Sequence, residues 1–348
     1  MRGRQRWRRW PEFLLTSARS CWWTTPSAST SSPICRPSMT RPLSTFTCTI
    51  TPFGPDGSLD CDVWRAHVDR LASVGMGVYV GSSSPGEGYT LTVAETELVY
   101  GIAADTAGGR VSARAMGVET RTAAEYLELV AIAEAVGLEA MQVYCVDVGH
   151  ANTPTTGELE AYFRSVLEGS SIPCVLSSHI FNGYVIPLDL VGRLVEEYAP
   201  DKIIGINVTN TDMGYVTRVV DVVDGRCDVH VGGPMQALTI LALGGQGFLS
   251  GEGNIVPATC RQVITAHTAG DFAASQAAYA QVMRLFSANR WPGGSVRFMK
   301  AVMACAGLPG HYLRPPFAPV EADIAAEIET ALAHLDIPEL TDLLAGPA

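Results

Sequence analysis

From residue 45 onward, short apolar runs alternate with longer stretches in which apolar positions recur every three or four residues. The short runs are TFTCTI (45–50), GVYV (77–80), VSARAM (111–116), AMQVYC (140–145), PCVLS (173–177), KIIGIN (202–207), CDVHV (227–231) and GFLS (247–250). Runs of this length, rich in Val, Ile and aromatics, predict strands; the segments between them, such as DVWRAHVDRLASVG and TAAEYLELVAIAEAVG, predict amphipathic helices. The second of these ends on Gly137, a good helix stop. Eight strands in strict alternation with helices predict a closed parallel (β/α)8 barrel over 44–268. The competing open sheet would want a phosphate-binding GxGxxG after its first strand, and none is there. Beyond the eighth strand, helical patterns at 255–268, 271–288, 295–306 and 321–335 predict a C-terminal helical extension over 269–348.

Composition narrows the picture. The chain has 348 residues, 47% hydrophobic and 17% charged, enough for a large buried core and too apolar for a disordered protein. No run approaches the roughly 18–20 apolar residues that span a bilayer, so no membrane partner is expected. The net charge is -11, and the first 41 residues carry eight arginines against one acid, Glu12, so the body is more acidic still. Such a body is a poor partner for nucleic acid or anionic lipid. Nine cysteines without a CxxC pair or zinc spacing fit reduced thiols in a cytoplasmic protein. The Arg-, Trp- and Ser-rich segment 1–43 lacks hydrophobic periodicity. It reads as a leader or as an upstream start, with Met39 the initiator, and has no place in the fold argument.

In a barrel of this kind, chemistry sits at the carboxyl ends of the strands. After the second strand, GSSSPGEGYTL makes a tight turn whose amides converge on an anion, with Ser82, Ser83 and Ser84 supplying hydroxyls and Glu87 tying the loop down or touching the ligand. Glu119 follows the third strand; Asp147 and His150 follow the fourth. Ser177, Ser178, His179 and Asn182 follow the fifth. Asn207 and Thr209 end the sixth, Gly232 and Gly233 the seventh, Glu252 and Asn254 the eighth. Asp147, His179, Glu119 and Glu252 include a candidate acid/base pair. The same carboxylates and imidazole would suit a divalent metal, though no HxH, HxxxH or DxD spacing supports one. No cofactor is expected.

The order of these pieces resembles the dihydrodipicolinate synthase / N-acetylneuraminate lyase family of pyruvate-handling class I aldolases, over about residues 45–320. The matching stretches are TPFGPDGSLD, GSSSPGEGYTLT in place of the family's Gly-Thr-Thr-Gly-Glu loop, IIGIN in place of its Gly-Ile-Lys, ALTILALGGQGFLSGEGNIVP and GLPGHYLRPPFAPV. The resemblance implies a pyruvate site, but it breaks at the residues that matter. Asn207 stands where the family keeps the lysine that forms an imine, and an amide cannot. The chain's two lysines, Lys202 and Lys300, lie elsewhere in the pattern. A tyrosine–asparagine pair of the family after strand five aligns with Ser177 and Ser178, its arginine with Asn182, and a tyrosine pair after strand four with Asp147 and Val148. Three readings stay open. One is a lyase-type enzyme on a small oxo acid or carboxylate, without Schiff-base formation, using Ser84, Asp147, His179 and Asn207 as catalytic groups. In it Ser82, Ser83, Glu87, Ser177, Ser178, Gly232 and Glu252 hold the substrate. The second is a non-catalytic homologue acting as a small-molecule sensor or structural subunit; the third is a metal-assisted lyase. The resemblance also implies a homodimer or homotetramer.

Overall fold

A computed structural model describes residues 41–149, 152–291 and 294–345. Eight strands follow one another round a closed parallel barrel: β1 (Ser44–Cys48), β2 (Gly77–Val80), β3 (Ala113–Ala115), β4 (Met141–Val143), β5 (Cys174–His179), β6 (Ile203–Thr209), β7 (Asp228–Gly232) and β8 (Gly247–Ser250). Closure comes from β1 pairing with β8, where Ser44 faces Gly247 and Thr47 faces Ser250. Every strand expected from the hydrophobic pattern is present. β2 and β8 have the expected bounds, β1, β3 and β4 end one or two residues early, β7 is shifted by one residue, and β5 and β6 run two residues further than expected. That extension corrects the placement of three candidates expected after the strands: Ser178 and His179 lie within β5 and Thr209 within β6, while Ser177 and Asn207, expected at the strand ends, lie inside them.

Alternation along the strands sorts side chains between the barrel interior and the surrounding helices. Phe46, Tyr79, Arg114 and His230 point inward and close the floor. The Phe46 ring lies edge-on to Tyr79 at 5.1 Å and to His230 at 5.5 Å, with the Arg114 guanidinium 4.6 Å from its centre. Outward residues such as Val78, Val80, Ile206, Val208 and Phe248 are buried beneath the helices. Among those helices, α1 (Cys61–Ser73) is capped by Asp60, which accepts from the Val63 amide at 3.0 Å. The helix α3 (Ala123–Ala135) runs out at Gly137, whose φ of 81° only glycine adopts readily. Arg41 is salt-bridged to Asp228 at the start of β7, so the chain is already attached to the barrel there. Residues 1–40 of the expected leader, Met39 included, and His150 lie outside the described residues.

The barrel and the C-terminal helices form one compact unit. After α8 (Pro257–Thr268) come α9 (Phe272–Ala288), α10 (Gly294–Cys305), α11 (Ala322–Leu332) and α12 (Pro338–Ala345). The last of these is absent from the sequence reading, because eight residues are too few to show a periodicity. Glu339 on α12 accepts from the Ala258 and Thr259 amides at 3.0 and 2.7 Å, capping the free donors at the start of α8.

Candidate active site

Above the floor, the barrel interior turns polar. From β6, Asn207 reaches past β5 and donates through Nδ2 to Gln142 Oε1 on β4; both residues are almost fully buried. Asn207 Oδ1 has no partner. The Gln142 side chain also hydrogen-bonds Tyr144, two residues on and therefore on the same face of the chain. Burial drives the Tyr144 phenol well above its ordinary range, and the Glu119 charge adds to the effect, so the phenol keeps its proton. Cys48, half-buried, completes this layer; burial and the Glu252 carboxylate push its thiol up to about 12, so it is no thiolate.

Higher up, at the mouth, Ser83 on the loop after β2 donates its hydroxyl proton to Glu119, which follows β3. The His179 ring stands 6.3 Å from that of Tyr144 and 5.1 Å from that of Phe181. Desolvation lowers the His179 pKa against an opposing pull from Glu119, which favours the neutral ring. The Phe181 amide donates to His179 Nδ1 at 3.3 Å, so the neutral ring carries its proton on Nε2. Thus Ser83, Glu119, Tyr144 and His179 converge at the mouth, with Gln142 and Asn207 beneath them.

Other candidates stand apart from this group. Ser178 faces outward: its hydroxyl meets Tyr215 Oη at 2.6 Å and accepts from the Ile186 amide at 3.2 Å, between β5 and α6 (Met213–Val223). Ser177 shares the inner face of β5 and pairs in register with Asn207. Asp147 is exposed, its carboxylate accepting from the Gly149 amide at 2.9 Å in a local turn. Ser84 is exposed and lies 3.2 Å from Ser295 on α10. Ser82 is buried inside its own loop, where its Oγ accepts from the Gly86 amide at 3.1 Å and its carbonyl from the Gly88 amide at 2.8 Å. Those two amides are therefore engaged within the loop, fewer remaining for an anion. Gly232 lines the mouth opposite Thr209, where a Cβ would fall 1.9 Å from Thr209 Oγ1. Glu252, buried beside Ser250, Cys48 and Cys260, has its carboxyl raised by desolvation to about 7.

Glu87 is fully buried and salt-bridged to Lys300 on α10, and it accepts from the Arg314 amide at 3.1 Å. Lys300 also donates to the Thr51 and Tyr312 carbonyls at 3.0 and 2.6 Å, which engages all three of its N–H bonds. Arg314 adds a fork onto Glu95, whose carboxyl it holds down at about 2. The C-terminal extension thereby fixes the serine loop. The other lysine, Lys202, donates to the Ser170 carbonyl just before β6, at the floor end of the barrel. Neither amine reaches the interior. Among the described residues, no group of three or more His, Cys, Asp or Glu side chains is placed to hold a metal ion.

Sequence reasoning missed Gln142 and Tyr144. Their signal was a single glutamine interrupting an apolar strand, with an aromatic two residues later.

The fold and this mouth define a (β/α)8 barrel with a polar interior site at the carboxyl ends of its strands. The chain belongs to the dihydrodipicolinate synthetase family, whose model matches residues 42–335. It is 26% identical over 295 residues to the 4-hydroxy-tetrahydrodipicolinate synthase of Chloroherpeton thalassium, covering 83% of this chain and 94% of that one. The Streptomyces coelicolor 4-hydroxy-tetrahydrodipicolinate synthase 1 is 28% identical over 295 residues, covering 82% and 92%. Among solved structures, dihydrodipicolinate synthase from Aquifex aeolicus superposes with a TM-score of 0.77 at 23% identity, over 86% of this chain and 99% of that one. YagE, a prophage protein of the same family from E. coli K12 solved in complex with pyruvate, gives 0.77 at 23% identity, over 84% and 98%. At such identities the structural likeness establishes the fold.

Proposed function

We propose that this protein is a lyase-type enzyme of its family that acts on a small oxo acid or carboxylate by acid–base chemistry, without forming an imine. One observation carries the reading: both lysine amines are bound to acceptors outside the interior, and an amide, Asn207, occupies the inner wall of β6. An imine needs a free primary amine against the carbonyl carbon.

In the proposed step, Ser83 takes a proton from the substrate while passing its own to Glu119. The Tyr144 phenol and the His179 Nε2–H face the oxygen on which charge develops, in a site whose closed floor keeps water out from below. Amides of the serine loop hold the substrate carboxylate; Ser83 cannot donate to it while its proton lies on Glu119. Ser84 and Asp147, at the rim, take no part in the step. Elimination, aldol cleavage and enolisation all need this pairing of a base with an oxyanion site. Glu119→Gln and Tyr144→Phe should each lower turnover of small oxo-acid adducts, read as released pyruvate, by about 10²–10⁴-fold; full activity in both would reject the assignment.

The seven described cysteines are free, which supports a reducing, cytoplasmic setting. No helix among the described residues is long and apolar enough to cross a membrane. Exposed Tyr89, Val93 and Leu98 around α2 (Val93–Ala107) support assembly as a homodimer or homotetramer.

A further inference from the structure

We infer that Asn207 selects a substrate with a hydroxyl at its inner end, a 2-hydroxy acid or its enol equivalent, in preference to the bare 2-oxo acid. The inference rests on the interior being the substrate site. Asn207 is buried to 4% exposure, its Nδ2 donates to Gln142, and its Oδ1 is left without a partner inside the barrel. A buried acceptor in that state lacks the donor that native structures almost always provide. What completes it must bring a proton. A hydroxyl does; a ketone oxygen offers only lone pairs and would face the lone pairs of Oδ1.

The surroundings agree. Gln142 turns its Oε1 toward Asn207 and hydrogen-bonds Tyr144 as well, and the Ser83 hydroxyl donates to Glu119, so neither side chain supplies a proton to Oδ1. The substrate carboxylate then lies one carbon nearer the mouth, toward the serine loop, with Tyr144 and His179 beside it. Sites built around a hydroxyl discriminate strongly against analogues lacking it, because the protein group is otherwise left unpaired. In this protein the discrimination falls between the reduced and the oxidised carbon at one position.

The test is calorimetric titration of the full chain with each enantiomer of lactate and with pyruvate, repeated with glycolate against glyoxylate. One lactate enantiomer should bind at least about tenfold more tightly than pyruvate, and glycolate more tightly than glyoxylate. Asn207→Leu should erase both preferences. Equal or tighter binding of the oxo acids, failure of all five to bind, or a folded Asn207→Leu that keeps the preference would each overturn the inference. If that variant does not fold, the two wild-type comparisons still decide. A borohydride-trapped pyruvate adduct would bring down the imine-free reading itself, whereas equal affinities without an adduct would remove only the hydroxyl selectivity.

Discussion

Asn207 on β6 and Gln142 on β4 hydrogen-bond inside the barrel, past the intervening strand β5, and leave Asn207 Oδ1 as an acceptor awaiting a donor. The pair fixes the base of the site, as Ser83 and Glu119 fix its rim.

At that rim, Ser83→Ala should cost about 10²-fold or more in turnover with little change in melting temperature, since it removes a proton path and leaves the fold alone. Steady-state rates beside thermal melts of the same preparation check this. Equal losses in both would make Ser83 a structural residue.

The Lys300–Glu87 pair is a different kind of contact. It is buried on both sides, at 1% and 0% exposure, and joins α10 to the serine loop. Removing one partner leaves an uncompensated buried charge, so Lys300→Met should destabilise the chain by roughly 3–5 kcal/mol. The double variant Lys300→Met/Glu87→Gln should recover part of that loss in denaturant titrations.

Glu252 gives a pH signature. Its folded pKa of about 7 lies above the usual carboxylate value of 4.5, so the folded state holds the proton more tightly than the unfolded one. The sign follows: its contribution to stability is fully present below about 4.5 and is lost as pH rises through about 7. Comparing wild type with Glu252→Gln, the difference in unfolding free energy should change by about 3 kcal/mol across that window, to the disadvantage of the wild type at high pH. Parallel stability curves for the two would show that the carboxyl is ordinary.

Ser178→Ala should behave as a structural change. It removes the 2.6 Å contact with Tyr215 and the acceptor for the Ile186 amide, at a cost of about 1–3 kcal/mol. Substrate affinity should stay the same, and a selective loss of affinity would move Ser178 back into the site.

This last case marks where the sequence stopped being legible. Eight strands and the loops that follow them were readable, because apolar runs and their spacing are local properties. Which side of a strand a polar residue takes was not readable for Ser177, Ser178 and His179, because that depends on where β5 ends. With the strand running to His179, alternation sends Ser178 out and its two neighbours in. Glu87 illustrates a second limit: its partner Lys300 is 213 residues away, so the sequence could offer only a choice between ligand contact and loop anchor. Gln142 was overlooked for the opposite reason. It sits in a run so apolar that its amide was absorbed into the strand, although a lone polar residue there had to find a partner within the barrel.

The chemistry proposed for this barrel proceeds without an amine. It is tested most directly by incubating the protein with pyruvate and borohydride and reading the intact mass. An unchanged mass, with Asn207→Lys as the variant that restores an amine to β6, is the result predicted for the wild type. A pyruvyl adduct mapped to Lys202 or Lys300 would contradict it.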